Sequence, residues 1–449
     1  MANNFVLKLN YKNIEDSIYQ NIEFSNLALL IVDTPEFQRL RNIKQLGICS
    51  LIYPTASHDR LQHSFGVYYL TGLILGSIKQ NSDINEIKKT LVLNKETEKY
   101  SELNNWLIEL IKIAGLCHDL GHGPLSHVFD NIFLSNKLIN FPNHEERSQR
   151  MVEYIIKKYN IPIYNTDLEL IKSIINPSNT NIGFVYQIVS NNLNNIDIDK
   201  FDYLTRDIYS VNFRTTGFNW KMLINRVRVI DNDICYPGQL SQEIYNMFLC
   251  RYRMHIQVYN HPVVISAEYM FADILCLIDS DLNLMELTNN SEKFSLLTDD
   301  LIFGFLKYKM LFKTNNSEEI NKAISIYNRI QNRKLYKKIG KILLHIDKKE
   351  DISSELFHKY DSKINVDDVI VHKTEIGFVS GNKENPIDNT FIFNNYNKKI
   401  KLNSEDLSTF FNGNYQEKHI FIYSRSEDND IINYITNIFN TIKDLYTGL

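Results

Sequence analysis

The run His118-Asp119-Leu120-Gly121-His122-Gly123-Pro124-Leu125-Ser126-His127-Val128-Phe129-Asp130 puts three histidines and two aspartates within thirteen residues. It follows IKIAGLC, an apolar segment with helical spacing. Neighbouring His118 and Asp119 at the end of a buried helix can both reach one cation. Mixed nitrogen and oxygen ligation suits Fe, Mn, Co, Ni or Zn better than Ca. Gly121, Gly123 and Pro124 predict a break, with Pro124 in the first turn of a following helix. On that helix His127 and Asp130 share a face. A carboxylate beside an imidazole orients it and raises its pKa, which suits a general acid. Helix caps and core histidines are the plainer reading of such residues, but burying this many ionisable groups without a metal or anion is costly.

Two distant segments offer further ligands. In Ser57-His58-Asp59-Arg60-Leu61-Gln62-His63-Ser64-Phe65-Gly66, His63 is a candidate ligand and Arg60 a candidate phosphate contact. In Asp197-Ile198-Asp199-Lys200-Phe201-Asp202-Tyr203-Leu204-Thr205-Arg206-Asp207, a helix would align Asp199, Tyr203 and Asp207 on one polar stripe. A solvated charged face is the alternative there.

The chain has 449 residues, is 44% hydrophobic and 23% charged, and carries a net charge of −4, which argues against bulk nucleic-acid binding as its main role. No apolar stretch is long enough for a bilayer, and the N-terminus lacks a secretory core. The five cysteines are scattered without CxxC spacing, so an intracellular, reducing compartment is expected, cytoplasmic or nuclear. Helical spacing dominates up to about residue 365, in segments such as LNNWLIELIKIAGLCHDL and SQEIYNMFLCRYRMHIQVY, with a lobe boundary expected near 345–365. Short β-rich runs follow, DDVIVHKTEIGF, TFIFNN, KKIKL and KHIFIYSR, before a final amphipathic helix IINYITNIFNTIKDLY. The fold expected is mainly α: a helical lobe over 1–350, then a smaller α+β lobe over 351–449.

His63, His118-Asp119 and Asp199 match the H…HD…D signature of the HD phosphohydrolases. The surrounding words Asp33-Thr34-Pro35-Glu36-Phe37-Gln38-Arg39-Leu40-Arg41, IKQLG, HDLGHGPLSH, IDIDKFDYLTRD and Lys383-Glu384-Asn385-Pro386-Ile387-Asp388 resemble the HD-domain deoxynucleoside triphosphate triphosphohydrolases. Within that family they are most similar to the vertebrate SAM-and-HD-domain branch, with no SAM module expected here. The resemblance implies an HD-domain helical lobe that cleaves a dNTP to deoxynucleoside and inorganic triphosphate by water attack at the α-phosphorus. It implies His63, His118, Asp119 and Asp199 as metal ligands for Fe, Mn or Zn, with Mg on the triphosphate. His122, His127, Asp130, His144 and Glu145 would be catalytic, His127 donating a proton to the leaving 5′ oxygen. Asn143 reads as the N-cap of the helix that carries His144 and Glu145.

Arg60, Lys200 and Arg251 would contact the triphosphate. His255 and Tyr259 follow Arg251 at four-residue steps on one predicted helix. Tyr203, Asp207, Gln45 and Leu46 would surround the deoxyribose, and Asn260 stands where the family has a base-proximal glutamine. Lys12, Asp33, Gln38 and Arg41, within residues 1–46, match a guanine-nucleotide regulatory site, so GTP or dGTP is the implied activator of a homo-oligomer, dimer or tetramer. The competing view of Asp33, with Thr34-Pro35, is a cap on the helix EFQRLRNIKQL. A second regulatory nucleotide site looks eroded at Met222, Tyr236-Pro237-Gly238-Gln239 and Pro262. Two other functions compete: an HD phosphohydrolase for another nucleotide, and a non-catalytic nucleotide sensor or single-stranded nucleic-acid binder. The retained Lys200, Tyr203, Asp207 and Arg251 and the complete ligand quartet weigh against both.

Overall fold

Three helices carry the ligand positions, and each begins at a side-chain cap. In the computed structural model Asp59 accepts from the Gln62 N–H at 3.1 Å ahead of helix Arg60–Asn81. Asn104 accepts from Leu107 at 2.9 Å ahead of helix Asn105–Cys117. Asp197 accepts from Lys200 at 3.0 Å ahead of helix Ile198–Val211, which ends on left-handed Asn212. The structure describes residues 9–447 except 136, 138–140, 215–216, 313–315, 380–383 and 408–413, so Lys383 of the motif above lies outside the described residues.

Helix Arg60–Asn81 is the central element. Its first twelve residues are nearly all buried, whichever way they point, and it packs against both other ligand-bearing helices. That all-round burial is why no single apolar stripe marks it in sequence. Gly66 lets the Ile198–Val211 helix approach closely: a Cβ there would sit 1.8 Å from Asp202 Oδ1.

The β structure is woven through the chain. Strands β1 (Leu9–Asp16) and β2 (Gln20–Ser25) form an antiparallel hairpin. Strands β3 (Arg228–Ile230) and β4 (Asp233–Pro237) join β7 (Phe391–Phe393) and β8 (Lys399–Lys401) in one sheet, with β4 and β7 parallel. The third sheet has the order β5-β9-β6, from Lys337–His345, Gln416–Ser424 and Val369–Gly377. Its strand β5 lies ahead of residue 351, so the β-rich part draws on chain from residue 337 onward.

Central strand β9 is buried on both faces, which is why HIFIY reads as a continuous apolar run. Ile420 and Ile422 face a small core closed by the terminal helix Asn429–Thr447, through Ile435, Ile438 and Ile442. Phe421 and Tyr423 point the other way, into the core of the helical part. The two-residue period of a strand thus joins the two cores, and each such side chain contributes about 1.5–3 kcal/mol.

Three local elements differ from the sequence expectation. Pro124 does not open a helix; Leu125 and Ser126 are left-handed, and the next helical turn starts at His127 and widens into a π turn over Phe129–Leu134. Helix Ser241–Met254 likewise passes into a π turn over His255–Tyr259. The segment EFQRLRNIKQL is a four-residue helix, Pro35–Gln38, then a 3-10 turn, Arg39–Asn42. Its cap is Thr34, accepting from Phe37 at 3.3 Å, not Asp33.

Candidate active site

His63 lies in the first turn of its helix, His118 caps the end of Asn105–Cys117, Asp119 follows in the turn, and Asp199 opens Ile198–Val211. Their ligand atoms converge. His63 Nε2 is 3.0 Å from Asp199 Oδ1 and 3.6 Å from Asp119 Oδ2. His118 Nε2 is 3.3 Å from Asp119 Oδ1 and 3.5 Å from Asp199 Oδ1. The outward nitrogens are anchored: His63 Nδ1 pairs with Asp202 at 2.7 Å, and His118 Nδ1 with the Gly115 carbonyl at 2.8 Å. Such bonds fix ring orientation and leave Nε2 for a metal.

The electrostatics of this quartet call for a cation. Burial opposes charge on all four groups, and their neighbours overcome it. Hydrogen bonds to Asp199 and Asp202 raise His63 to about 10, and Asp119 raises His118. Asp119 is held well below the ordinary carboxylate range against burial by His118 and Arg60, and Asp199 by His118 and His63. His118 Nε2 is buried without a hydrogen bond. The donor set, two imidazoles and two carboxylates, fits a divalent transition metal. His63, His118 and Asp119 offer atoms within 4.8 Å of one another.

Beside the quartet stands a group of three imidazoles. His122 is buried, with Nε2 3.4 Å from Asp119 Oδ1 and Nδ1 3.6 Å from Asp130 Oδ2. It stacks on His144 with ring centroids 4.2 Å apart and meets His127 edge-on at 5.4 Å. Asp130 turns to Arg147 and His122. Its field on His127 is outweighed: enclosure in the cleft, then Arg60 and His144, lower that imidazole to about 4, although its ring is open to the cleft's solvent. Asp130 does raise His127, as expected, but the net shift is downward. Asn143 caps the next helix, His144–Lys158, as expected, accepting from Glu146 at 2.7 Å. His144 Nε2 is 3.3 Å from Glu145.

His63, Asp119, Asp199, His122, His127 and His144 line a cleft of about 410 Å³. Gln45, Leu46, Arg60, Lys200, Tyr203, Asp207, Arg251, His255 and Tyr259 all line it. Asp130 and Glu145 line an adjoining cavity, and Asn260 another, where its Nδ2 donates to the His255 carbonyl at 2.9 Å. Two cations are already paired with protein groups. Arg60, buried, donates to Asp119 at 2.5 Å and to Ser126 at 2.9 Å, and Lys200 lies 3.0 Å from Asp197. Arg251 donates to the Gly377 carbonyl on β6, tying the cleft wall to the third sheet. Asp207 accepts from Tyr259 Oη at 2.6 Å and pairs with His58 at 2.7 Å.

The four residues of the regulatory reading lie apart from the cleft. Lys12 Nζ is 3.0 Å from both oxygens of Asp33, with both side chains more than half exposed. Gln38 donates to the Val32 carbonyl at 2.7 Å and accepts from Arg41 at 2.6 Å.

Sequence reasoning missed several supports. Asp202 lies in the quoted stripe but one residue off its four-step face. Arg147, buried, donates to Asp130 and to the carbonyls of Gly121 at 2.8 Å and Pro142 at 2.6 Å. Asp299 accepts from the Leu125 N–H at 2.6 Å and from Lys44 at 2.9 Å, holding the left-handed turn. Only the turn itself, HGPLS, hinted that something must hold it.

Residues 60–207 match the HD domain family model, which defines the class of protein. The chain is 38% identical to an HD domain-containing protein of Acanthamoeba polyphaga mimivirus, over 95% of each chain. It is 33% identical to the deoxynucleoside triphosphate triphosphohydrolase SAMHD1 homolog of Dictyostelium discoideum, covering 93% of this chain and 78% of the relative. It is 29% identical to the SAMHD1 triphosphohydrolase of Homo sapiens, covering 93% and 71%. The chain belongs to the family of HD-domain deoxynucleoside triphosphate triphosphohydrolases.

Proposed function

We propose that the cleft hydrolyses dNTPs to deoxynucleoside and inorganic triphosphate, with water attacking the α-phosphorus. The observation that carries this reading is that His63, Asp119 and Asp199 line one cleft with Lys200, Arg251 and the Asp207–Tyr259 pair, while His118 Nε2 lies 3.5 Å from Asp199. His63, His118, Asp119 and Asp199 would hold Fe, Mn or Zn, with Mg accompanying the triphosphate. A metal there supplies Lewis acidity toward a phosphoryl oxygen and toward water.

Lys200, Arg251 and Arg60 bind the triphosphate, which competes with the carboxylates now paired with Lys200 and Arg60. Tyr203, Asp207, Gln45 and Leu46 close around the deoxyribose and leave no room for a 2′-hydroxyl, a contact that can discriminate strongly. His127 gives a proton to the leaving 5′ oxygen. Its lowered imidazole is neutral at pH 7, and an arriving polyanion raises its pKa. His122 and Asp130 orient the proton-transfer group, and His144 with Glu145 lies on the first turn of its helix beside the α-phosphate. GTP or dGTP at Lys12, Asp33, Gln38 and Arg41 activates the enzyme and drives assembly to a dimer or tetramer.

The test is product analysis of metal-loaded protein with each dNTP, with and without GTP or dGTP. Stoichiometric deoxynucleoside and triphosphate is expected. A dNMP product, or no turnover, overturns the reaction; turnover indifferent to both guanine nucleotides overturns the activation.

A further inference from the structure

Gln45 with Leu46 and Asp207 with Tyr259 form two parts of the cleft lining, and one buried residue outside that lining joins them. Residues 43–45 and 57–60 lie antiparallel. The Gln45 N–H donates to the His58 carbonyl at 3.1 Å, and the Arg60 N–H to the Ile43 carbonyl at 3.0 Å. Lys44 Nζ adds a bond to the Ser57 carbonyl at 2.7 Å. The backbone of His58 thus sets where Gln45 and Leu46 stand.

Its side chain runs to the other part of the lining. His58 Nε2 lies 2.7 Å from Asp207 Oδ1, while Tyr259 Oη donates to Asp207 Oδ2 at 2.6 Å. A ring nitrogen facing a carboxylate carries the proton, so Nε2 is the donor. His58 Nδ1 is buried without a hydrogen bond, which leaves Asp207 as the side chain's polar partner among the described residues. Each Asp207 oxygen accepts from one protein donor, and together the two donors fix the plane of the carboxylate and the direction of the Tyr259 phenol.

We propose that His58 is a positioning residue that holds the Asp207–Tyr259 pair at a set separation from Gln45 and Leu46, and thereby sets how strictly the cleft refuses a ribose. This rests on the dNTPase reading above, in which those residues surround the deoxyribose. Exclusion of a single hydroxyl needs walls that do not yield, and a site left loose by its supporting groups loses that discrimination. His58 supplies the support without touching the substrate.

The test measures dATP hydrolysis and its inhibition by ATP, with GTP present throughout, in wild type, His58→Ala, His58→Asn and His58→Gln. Gln places an amide N–H where Nε2 stands, whereas Asn ends at the Nδ1 position and stops short of Asp207. In wild type the ATP inhibition constant is expected to lie well above the KM for dATP. Ala and Asn are each expected to raise that KM about tenfold, the effect of one hydrogen bond left unmade. With kcat and the ATP constant little changed, the gap between the two nucleotides narrows by the same factor. Gln restores both. The ratio is read on a single preparation, so it does not depend on how much of a variant folds. An unchanged ratio in Ala and Asn, a loss shared equally by dATP and ATP, or a loss that Gln does not repair overturns the assignment to His58 and leaves the hydrolase reading intact. Absence of any dNTP turnover by wild type removes that reading and this one with it.

Discussion

His63 turns Nδ1 to the carboxylate of Asp202 at 2.7 Å, and that contact aims Nε2 at Asp199 and Asp119. Asp202 is itself held by Arg206 through two hydrogen bonds of 2.9 Å, and Arg206 by Asp16 at 2.8 Å on β1. Asp202→Asn keeps the shape and removes the charge. It is expected to weaken metal binding about 10–100-fold, read by metal content after dialysis against a graded chelator. Unchanged affinity would show that Asp202 serves only the Arg206 ion pair.

Arg147 ties Asp130 to the backbone of the motif turn, with its side chain nearly inaccessible. Arg147→Ala leaves Asp130 partly buried and unpaired, so a loss of roughly 3–5 kcal/mol is expected, measured by denaturant unfolding. Arg147→Ala/Asp130→Asn should recover part of it, since the uncompensated charge is gone. A single-variant loss under about 1 kcal/mol, the range of a surface pair, would contradict this account.

The convergence of His118 and Asp119 was legible because they are adjacent and HDLGHGPLSH carries its own turn, whereas His63 and Asp199, in distant segments, were reached through the family signature. The helical and strand periods likewise set the succession from helices to β runs. What escaped were partners brought together only by folding. Asp202 meets His63 across 139 positions, and Asp299 meets Leu125 across 174. The charge on Arg60 was evident, but not its commitment to Asp119. Two π turns, at Phe129–Leu134 and His255–Tyr259, shift side-chain directions by one residue in a way that a 3.6-residue period does not reveal.

Asp299 gives a pH test. Burial raises its carboxyl to about 6 despite two backbone N–H donors. Because the folded pKa exceeds the unfolded one, the native state binds the extra proton between about pH 4 and 6, and this group's contribution to stability falls as pH rises through that window. Relative to non-titrating Asp299→Asn, wild type should lose roughly 3 kcal/mol between pH 4 and 7. Paired denaturant titrations at the two pH values check this; a constant difference contradicts it.

The phenol of Tyr259 reaches Asp207 at 2.6 Å while His58 holds the same carboxylate from the other side. Tyr259→Phe frees one oxygen of Asp207 without opening the core. It should lower kcat/KM for every dNTP by about tenfold and leave the ratios between bases unchanged. A change in base ratios, measured by competition between two dNTPs, would instead place Tyr259 at the base.

The most direct test of the central claim is hydrolysis of a dNTP in ¹⁸O-water by the metal-loaded enzyme, beside a His118→Ala/Asp119→Ala control. Attack at the α-phosphorus predicts one labelled oxygen in the triphosphate and none in the deoxynucleoside, with turnover lost in the control. Label in the deoxynucleoside, release of dNMP, or full activity without the two ligands would contradict the account.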